Sequence, residues 1–142
     1  MTTSPDEAKA TVQRWFHEIW SQGDEQAVDE VLAPDLAFIL SFNQVNGRDA
    51  FKRLLQANRT AFENLTYSAN DDDIVVESDK AAAYWTMHTD KHRGTWQNIP
   101  PSGKEASIHG MSLFRFSNGQ ISEIRVISDF YSLLAQIGGI EQ

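Results

Sequence analysis

Residues 105–128 read EASIHGMSLFRFSNGQISEIRVIS, and this stretch decides the fold. Two runs rich in β-branched and aromatic residues flank the pair Asn118-Gly119. An Asn-Gly pair set between two β runs is the strongest short-range signal for a hairpin with a two-residue turn. We therefore expect antiparallel strands over residues 105–116 and 120–128.

Strand signals continue upstream of this hairpin. Residues 65–70, 74–77 and 81–96 are rich in β-forming side chains, and a turn at 78–80 separates the last two runs. The stiff segment NIPPSG at 98–103 then leads into the hairpin. The sequence thus predicts three long antiparallel strands in succession.

Helical spacing dominates the chain before residue 65. Ser4-Pro5 has the form of a helix start, Asp24 can cap a second short helix that ends near Pro34, and a third helix follows Gly47. A strand over 36–42 separates the last two, and a final short helix is expected over 131–136. The apolar face of the first helix is formed by Ala8, Val12, Trp15, Phe16, Ile19 and Trp20.

Helices that precede a run of long strands indicate an α+β domain, in which the helices cover one face of an antiparallel sheet. At 142 residues the chain is predicted to form one domain, residues 1–142. If the sheet curls around the helices, a cavity between the two layers opens at one end.

The composition excludes several classes of partner. Twelve Lys plus Arg against twenty Asp plus Glu give a net charge of −8, a field that repels nucleic acid and anionic membrane surfaces. No cysteine is present, which excludes disulfides, a thiolate nucleophile and a Cys-ligated metal. The polar residues 1–7 lack the features of a signal peptide, so a cytoplasmic location is expected.

The C-terminal half carries a series of motifs at characteristic spacing: His92-Arg93-Gly94-Thr95-Trp96, Ile99-Pro100-Pro101-Ser102-Gly103-Lys104, Asn118-Gly119-Gln120-Ile121, and Asp129 followed by Leu133-Leu134. In their order and spacing the chain resembles the SnoaL-like polyketide cyclases, or ester cyclases, of the nuclear-transport-factor-2-like superfamily. The resemblance implies a conical antiparallel sheet curled around N-terminal helices, a cystatin-like α+β barrel. It also implies a cofactor-independent enzyme and a homodimer formed through the outer face of the sheet.

Asp129 is the first candidate for chemistry. The resemblance implies that it acts as the acid/base of an intramolecular aldol closure. A carboxylate in an apolar pocket has its pKa raised by desolvation, so that one group can take a proton and return it elsewhere. The alternative is structural, because Asp129 directly precedes Phe130-Tyr131-Ser132 and suits the N-cap of the final helix.

Arg125 stands where the family commonly has Trp. Period-two alternation puts Arg125, Ile127 and Asp129 on one face of the last strand. Arg125 is then able to pair with Asp129, to hold a substrate oxygen, or to lie at a dimer surface. Ile124 and Val126, on the opposite face, would suit the dimer contact.

Three histidines are candidate helpers. His88 and His109 fall in adjacent predicted strands, where an inward imidazole would orient Asp129 or protonate an oxygen; each is otherwise a half-buried strand residue. The resemblance places His92 near the pocket mouth. No pair of histidines has the spacing of a metal site, so no metal is expected. No other cofactor is expected either, because aldol ring closure requires none.

The aromatic residues indicate the ligand. Four Trp and eight Phe are many for this length, and Trp15, Phe16, Trp85 and Trp96 suit the walls of a pocket for a flat apolar carbonyl compound, although each also suits the core. An aldol cyclase of polyketide-like metabolism is the leading hypothesis. The alternatives are a dehydratase or epoxide hydrolase using Asp with Arg or His, and a ligand-binding or accessory protein of a tailoring step such as hydroxylation.

Overall fold

The structure is a computed structural model, and it describes residues 4–140. Residues 1–3, on which part of the signal-peptide argument rests, lie outside this range. The helices are α1 (Pro5–Arg14), α2 (Glu25–Val31), α3 (Arg48–Ala61) and α4 (Phe130–Ile137). The strands are β1 (Leu32–Ile39), β2 (Gln44–Asn46), β3 (Phe62–Glu63), β4 (Thr66–Ser68), β5 (Ile74–Glu77), β6 (Lys80–Thr89), β7 (Lys91–His92), β8 (Ala106–Ser117) and β9 (Gln120–Ser128).

The first helix begins as expected and then changes its winding. The Glu7 amide donates to Ser4 Oγ at 3.2 Å, which is the predicted N-cap. After Arg14 the chain continues as a π-helical segment, Trp15–Ser21, in which the Ser21 hydroxyl donates to the Phe16 carbonyl at 2.9 Å. The wider turn was not predicted from the apolar spacing; such segments are rare and cluster at functional sites.

The expected cap of the second helix is present. The Asp24 carboxylate accepts from the amides of Gln26 and Ala27 at 3.0 and 3.2 Å, and these bonds satisfy donors that α2 leaves free at its first turn. Helix α3 follows Gly47, whose φ of 85° is readily adopted by glycine. In the described residues no helix combines the length and the apolar character needed to cross a membrane.

The predicted α+β architecture is confirmed, with a curled and unclosed sheet. Seven strands are hydrogen-bonded in the order β2-β1-β9-β8-β6-β4, and β5 also pairs with β6. The three long strands β6, β8 and β9 are antiparallel neighbours, as predicted. Asn118 and Gly119 turn between β8 and β9 with φ values of 54° and 78°, the positive pair that a two-residue hairpin turn requires. Strand β1 runs parallel to β9, so the sheet is mixed rather than wholly antiparallel.

Two strand predictions were wrong in their limits by more than two residues. Strand β1 spans Leu32–Ile39 instead of 36–42. It can include Pro34, which lacks an amide proton, because Pro34 falls in the irregular part of the pairing with β9. Strand β6 ends at Thr89 instead of continuing to 96. The Thr89 hydroxyl donates to the Glu63 carbonyl at 2.7 Å, and the chain then leaves the main sheet to pair β7 with β3.

Candidate functional site

An apolar cavity lies between the helices and the inner face of the sheet, with a volume of about 120 Å³. Its walls include the residues of the π-helical segment and of the inward registers of β6 and β8. All four Trp of the chain line it. The aromatic lining residues are Trp15, Phe16, Trp20, Phe38, Phe42, Phe62, Tyr67, Trp85, Trp96 and Phe130.

The predicted wall residues Trp15, Phe16, Trp85 and Trp96 are therefore brought together at one cavity. Each is also packed against other aromatic rings; Trp15, for example, lies 5.2 Å from Phe51 between ring centroids. The same side chains therefore both pack in the hydrophobic core and line the cavity. Their role in binding a substrate stays a prediction.

Three aromatic rings form the mouth of the cavity. Phe130 packs edge to face against Phe42, with ring centroids 4.8 Å apart, and stacks on Trp96 at 5.3 Å. Phe42 is 52% exposed, which places this group at the boundary between the cavity and solvent. An apolar ligand that enters here meets aromatic surface from the first contact.

Six neutral polar residues that line the cavity were not predicted from the sequence: Asn43, Asn58, Tyr67, Gln97, Ser112 and Ser128. Asn58 follows Leu54 by four residues on the inner face of α3, and Ser112 shares the inward register of β8 with Phe114. A polar residue within an apolar stripe is the signal that would have found both of these. Ser112 is 4% exposed, so its hydroxyl needs a partner in the interior.

Asp129 caps a helix. Its Oδ1 accepts from the Ser132 amide at 3.1 Å, which confirms the N-cap interpretation for α4. The side chain is exposed and does not line the cavity, contrary to the expectation of a carboxylate in an apolar pocket. Its two chain neighbours, Ser128 and Phe130, do line the cavity, so Asp129 lies beside the wall and near the mouth.

The two faces of β9 are the reverse of those predicted for the dimer contact. Ile124 is fully buried and Val126 lines the cavity, because these residues point inward. Arg125, Ile127 and Asp129 share one face, as period-two alternation requires, but it is the outer face. Arg125 Nε lies 3.2 Å from the Glu123 carboxylate and not at Asp129, so it neither pairs with the candidate base nor reaches the cavity.

His88 and His109 also point outward. His109 lies 3.1 Å from the Thr86 hydroxyl through Nδ1 and stacks on Tyr84 at 5.6 Å between ring centroids. It shares a shallow groove on the outer face with Asp129, and neither residue lines the cavity. The prediction of an inward imidazole on these strands was therefore wrong. The residues next to each histidine in the chain point inward, so the histidines themselves point outward.

His88 belongs to a polar group at the edge of the sheet. Its Nε2 lies 3.1 Å from Asp90 Oδ1 and 3.9 Å from Glu105 Oε2. Asn64 donates to the other Asp90 oxygen at 2.9 Å, and this bond, followed by that of His88, lowers the pKa of Asp90. The three side chains offer ligand atoms within 4.8 Å of one another, but two of the three are exposed, and exposed groups of this kind are common without an ion.

His92 is buried and fastens a loop. Its Nδ1 accepts from the Ser102 amide at 3.2 Å and lies 3.0 Å from the Ser102 hydroxyl. Burial lowers the pKa of His92, which favours the neutral ring. The ring packs on Phe62 at 5.4 Å but does not line the cavity, so His92 holds the segment 98–103 and is not placed to touch a ligand.

Comparison with known proteins places this geometry in a family. Residues 10–137 match the SnoaL-like polyketide cyclase family. No curated protein sequence matches the chain.

Three solved structures share the fold over almost the whole chain. A proposed SnoaL-like polyketide cyclase from Jannaschia sp. CCS1 is 23% identical, with 99% of each chain covered and a TM-score of 0.84. TsrD from Streptomyces laurentii is 22% identical, with 97% of this chain and 99% of that chain covered and a TM-score of 0.87. AclR, a proposed hydroxylase from Streptomyces galilaeus, is 23% identical, with 97% and 100% covered and a TM-score of 0.80.

At these identities the solved structures establish the fold alone, whereas the family match extends from α1 to the end of α4. The expected resemblance is thereby confirmed. The chain belongs to the SnoaL-like polyketide cyclase family.

Proposed function

We propose that the protein is a cofactor-independent enzyme of polyketide-like metabolism, which closes a ring by an intramolecular aldol reaction in a flat carbonyl compound. The observation that carries the proposal is the aromatic cavity, because ten aromatic side chains surround a space that opens through an aromatic mouth. Flat apolar compounds gain most from such walls, since stacked and edge-on rings contribute beyond simple area burial. Membership of the cyclase family supports the reaction type.

The proposed reaction needs no co-reactant. A base removes a proton beside one carbonyl, the resulting enolate carbon bonds to a second carbonyl carbon of the same molecule, and the new alkoxide takes up a proton. We assign the base to Asp129, since it stands between two cavity-lining residues beside the mouth. No Asp, Glu, His, Lys or Arg lines the cavity within residues 4–140, so the proton acceptor has to act from its edge.

Asp129→Asn tests this assignment, because asparagine caps a helix as well as aspartate but is not a base. We expect kcat on anthracycline-type methyl ester precursors to fall by about 100-fold or more, the usual contribution of a general base, while the melting temperature changes little. Asp24→Asn is the matched control, since Asp24 caps α2 in the same way and does not line the cavity. Retention of full turnover by Asp129→Asn would refute the assignment.

A non-catalytic ligand-binding or accessory protein is the second candidate. It is favoured by the same observation that no Asp, Glu, His, Lys or Arg of the described residues lines the cavity, and by the bond that holds Asp129 Oδ1 at the Ser132 amide. The proposed hydroxylase among the solved structures indicates that related folds are associated with other tailoring steps. Ligand binding without turnover of any precursor, unchanged by Asp129→Asn, would favour this candidate over the cyclase.

The dehydratase or epoxide-hydrolase alternative loses its main support. It was based on an Asp-Arg pair within the pocket, and Arg125 instead pairs with Glu123 on the outer face of the sheet. The two histidines that would assist Asp129 in this mechanism, His88 and His109, do not line the cavity.

A further inference from the structure

Asn58, Tyr67 and Ser112 project from three different elements, α3, β4 and β8, onto the wall of one cavity. Asparagine, tyrosine and serine side chains can all both donate and accept hydrogen bonds. What a ligand meets therefore depends on which of these capacities the protein already uses. Two of the three side chains are held by an indole, which only donates.

Ser112 is oriented by Trp85. The Trp85 Nε1–H donates to Ser112 Oγ at 2.9 Å, and both residues are buried. This bond occupies an acceptor position of the hydroxyl and leaves its proton free. Within residues 4–140 no group accepts that proton, so the Ser112 hydroxyl is available to donate into the cavity.

Asn58 is oriented by Trp96 in the same way. The Trp96 Nε1–H donates to Asn58 Oδ1 at 2.8 Å. Because an indole has no acceptor, this contact requires the amide oxygen at that position and directs the amide NH₂ elsewhere. No acceptor in the described part of the chain takes the Nδ2 protons, which leaves them for a ligand.

Tyr67 is held by its backbone and leaves its hydroxyl free. The Tyr67 amide donates to Ser21 Oγ at 2.9 Å, so the residue is anchored to the π-helical segment. Its ring lies 5.0 Å from Trp20 and 5.2 Å from Trp85, between centroids. The hydroxyl has no partner among the described residues, and burial among these rings raises the pKa of Tyr67, which keeps the phenol protonated.

We propose that Asn58, Tyr67 and Ser112 form a set of neutral hydrogen-bond donors that binds the carbonyl oxygens of an uncharged, flat ketone or quinone-like compound. The inference rests on the proposed function in that it takes the cavity as the substrate site. It goes further by naming the residues that position the substrate oxygens and by excluding charged ligands. A charged ligand would have no counter-ion, since no Asp, Glu, His, Lys or Arg of residues 4–140 lines the walls.

The same donors would act on the reaction. An enolate or alkoxide oxygen carries more negative charge than the carbonyl from which it forms, and a donor that is already in position stabilises it without reorganisation. A buried donor left without an acceptor weakens binding, because the donor loses its hydrogen bond to water and gains none. A hydrocarbon of the same shape leaves the donors unsatisfied, whereas a ketone satisfies at least one of them.

Isothermal titration of the purified full-length protein with 1-tetralone and with tetralin tests the donor set, because the two bicyclic compounds differ by one carbonyl. We expect the wild type to bind the ketone about tenfold more tightly, the ratio that one hydrogen bond supplies. Tyr67→Phe and Ser112→Ala should each lower the affinity for tetralone several-fold and leave that for tetralin unchanged. A purely structural role would change both affinities together.

Tyr84→Phe is the matched control, since Tyr84 lies on the outer face of the sheet and is 44% exposed. Equal affinities of the wild type for the two compounds, or a ketone preference that survives in both cavity variants, would overturn the inference. The outcome is separate from that of the Asp129 experiment, which measures turnover. A protein that prefers the ketone but closes no ring would support the donor set and refute the proposed enzyme.

Discussion

Gly110 lets Trp85 lie against the sheet. The two residues are cross-strand partners in β6 and β8, and the indole covers the position where a β-carbon would project from Gly110. An added Cβ would come within 2.6 Å of Trp85 Cη2 and 2.8 Å of the Ile127 carbonyl oxygen, closer than any such atoms normally approach. The glycine therefore fixes the position of one cavity wall and of the indole that orients Ser112.

Gly110→Ala should displace Trp85 and disturb the cavity. We expect a loss of about 1–3 kcal/mol in the free energy of unfolding, the usual cost of overpacking, measured by urea denaturation. The tryptophan emission spectrum should also change. Ser117→Ala, at the exposed end of the same strand, is the control and should leave both unchanged. A fully stable Gly110→Ala protein with an unchanged emission spectrum would contradict this description of the wall.

At the scale of elements, the sequence predicts where the strands lie better than it predicts which face of each strand points inward. The limits of β5 and β9 and the hairpin turn between β8 and β9 follow from the β-forming runs and from Asn118-Gly119. The alternation along β9 is also as predicted. Alternation alone does not show which of the two sets of alternate residues points inward. In β9, Ile124 faces the core and Val126 faces the cavity, whereas Arg125 pairs with Glu123 on the outer face.

Two other features depended on contacts distant in sequence. Strand β6 ends at Thr89 because its hydroxyl bonds to the carbonyl of Glu63, 26 positions away, and no local pattern contains this information. The π-helical winding of Trp15–Ser21 is coupled to the Ser21 hydroxyl, which bonds both within the segment and to the Tyr67 carbonyl. The aromatic walls were predictable from composition, whereas the polar donors and the outward histidines required the three-dimensional register.

At the scale of the whole molecule, the outer face of the sheet carries an exposed apolar patch. Tyr84, Met111 and Ile127 are 44%, 51% and 70% exposed and lie on adjacent strands β6, β8 and β9. We propose that a second copy of the chain covers this patch and forms a homodimer. A twofold contact suits a patch that is complementary to itself, and apolar side chains gathered on one face of a sheet favour it.

Sedimentation velocity checks this proposal at micromolar concentrations. We expect a dimer for the wild type and a monomer for Ile127→Lys, because a charge within the patch would have to be desolvated on association. Phe42→Lys serves as the control, since Phe42 is equally an exposed apolar residue but lies at the cavity mouth. A wild-type protein that sediments only as a monomer would refute the dimer.

We propose that the inner cavity, and not the outer groove beside Tyr84 and His109, is the ligand site. A crystal structure of the protein bound to 1-tetralone tests it most directly. We predict the bicyclic ring inside the cavity against the aromatic walls, with its carbonyl oxygen within hydrogen-bonding distance of the Tyr67 or Ser112 hydroxyl. A ketone found in the outer groove against Tyr84 and His109, with the cavity free of it, would contradict the claim.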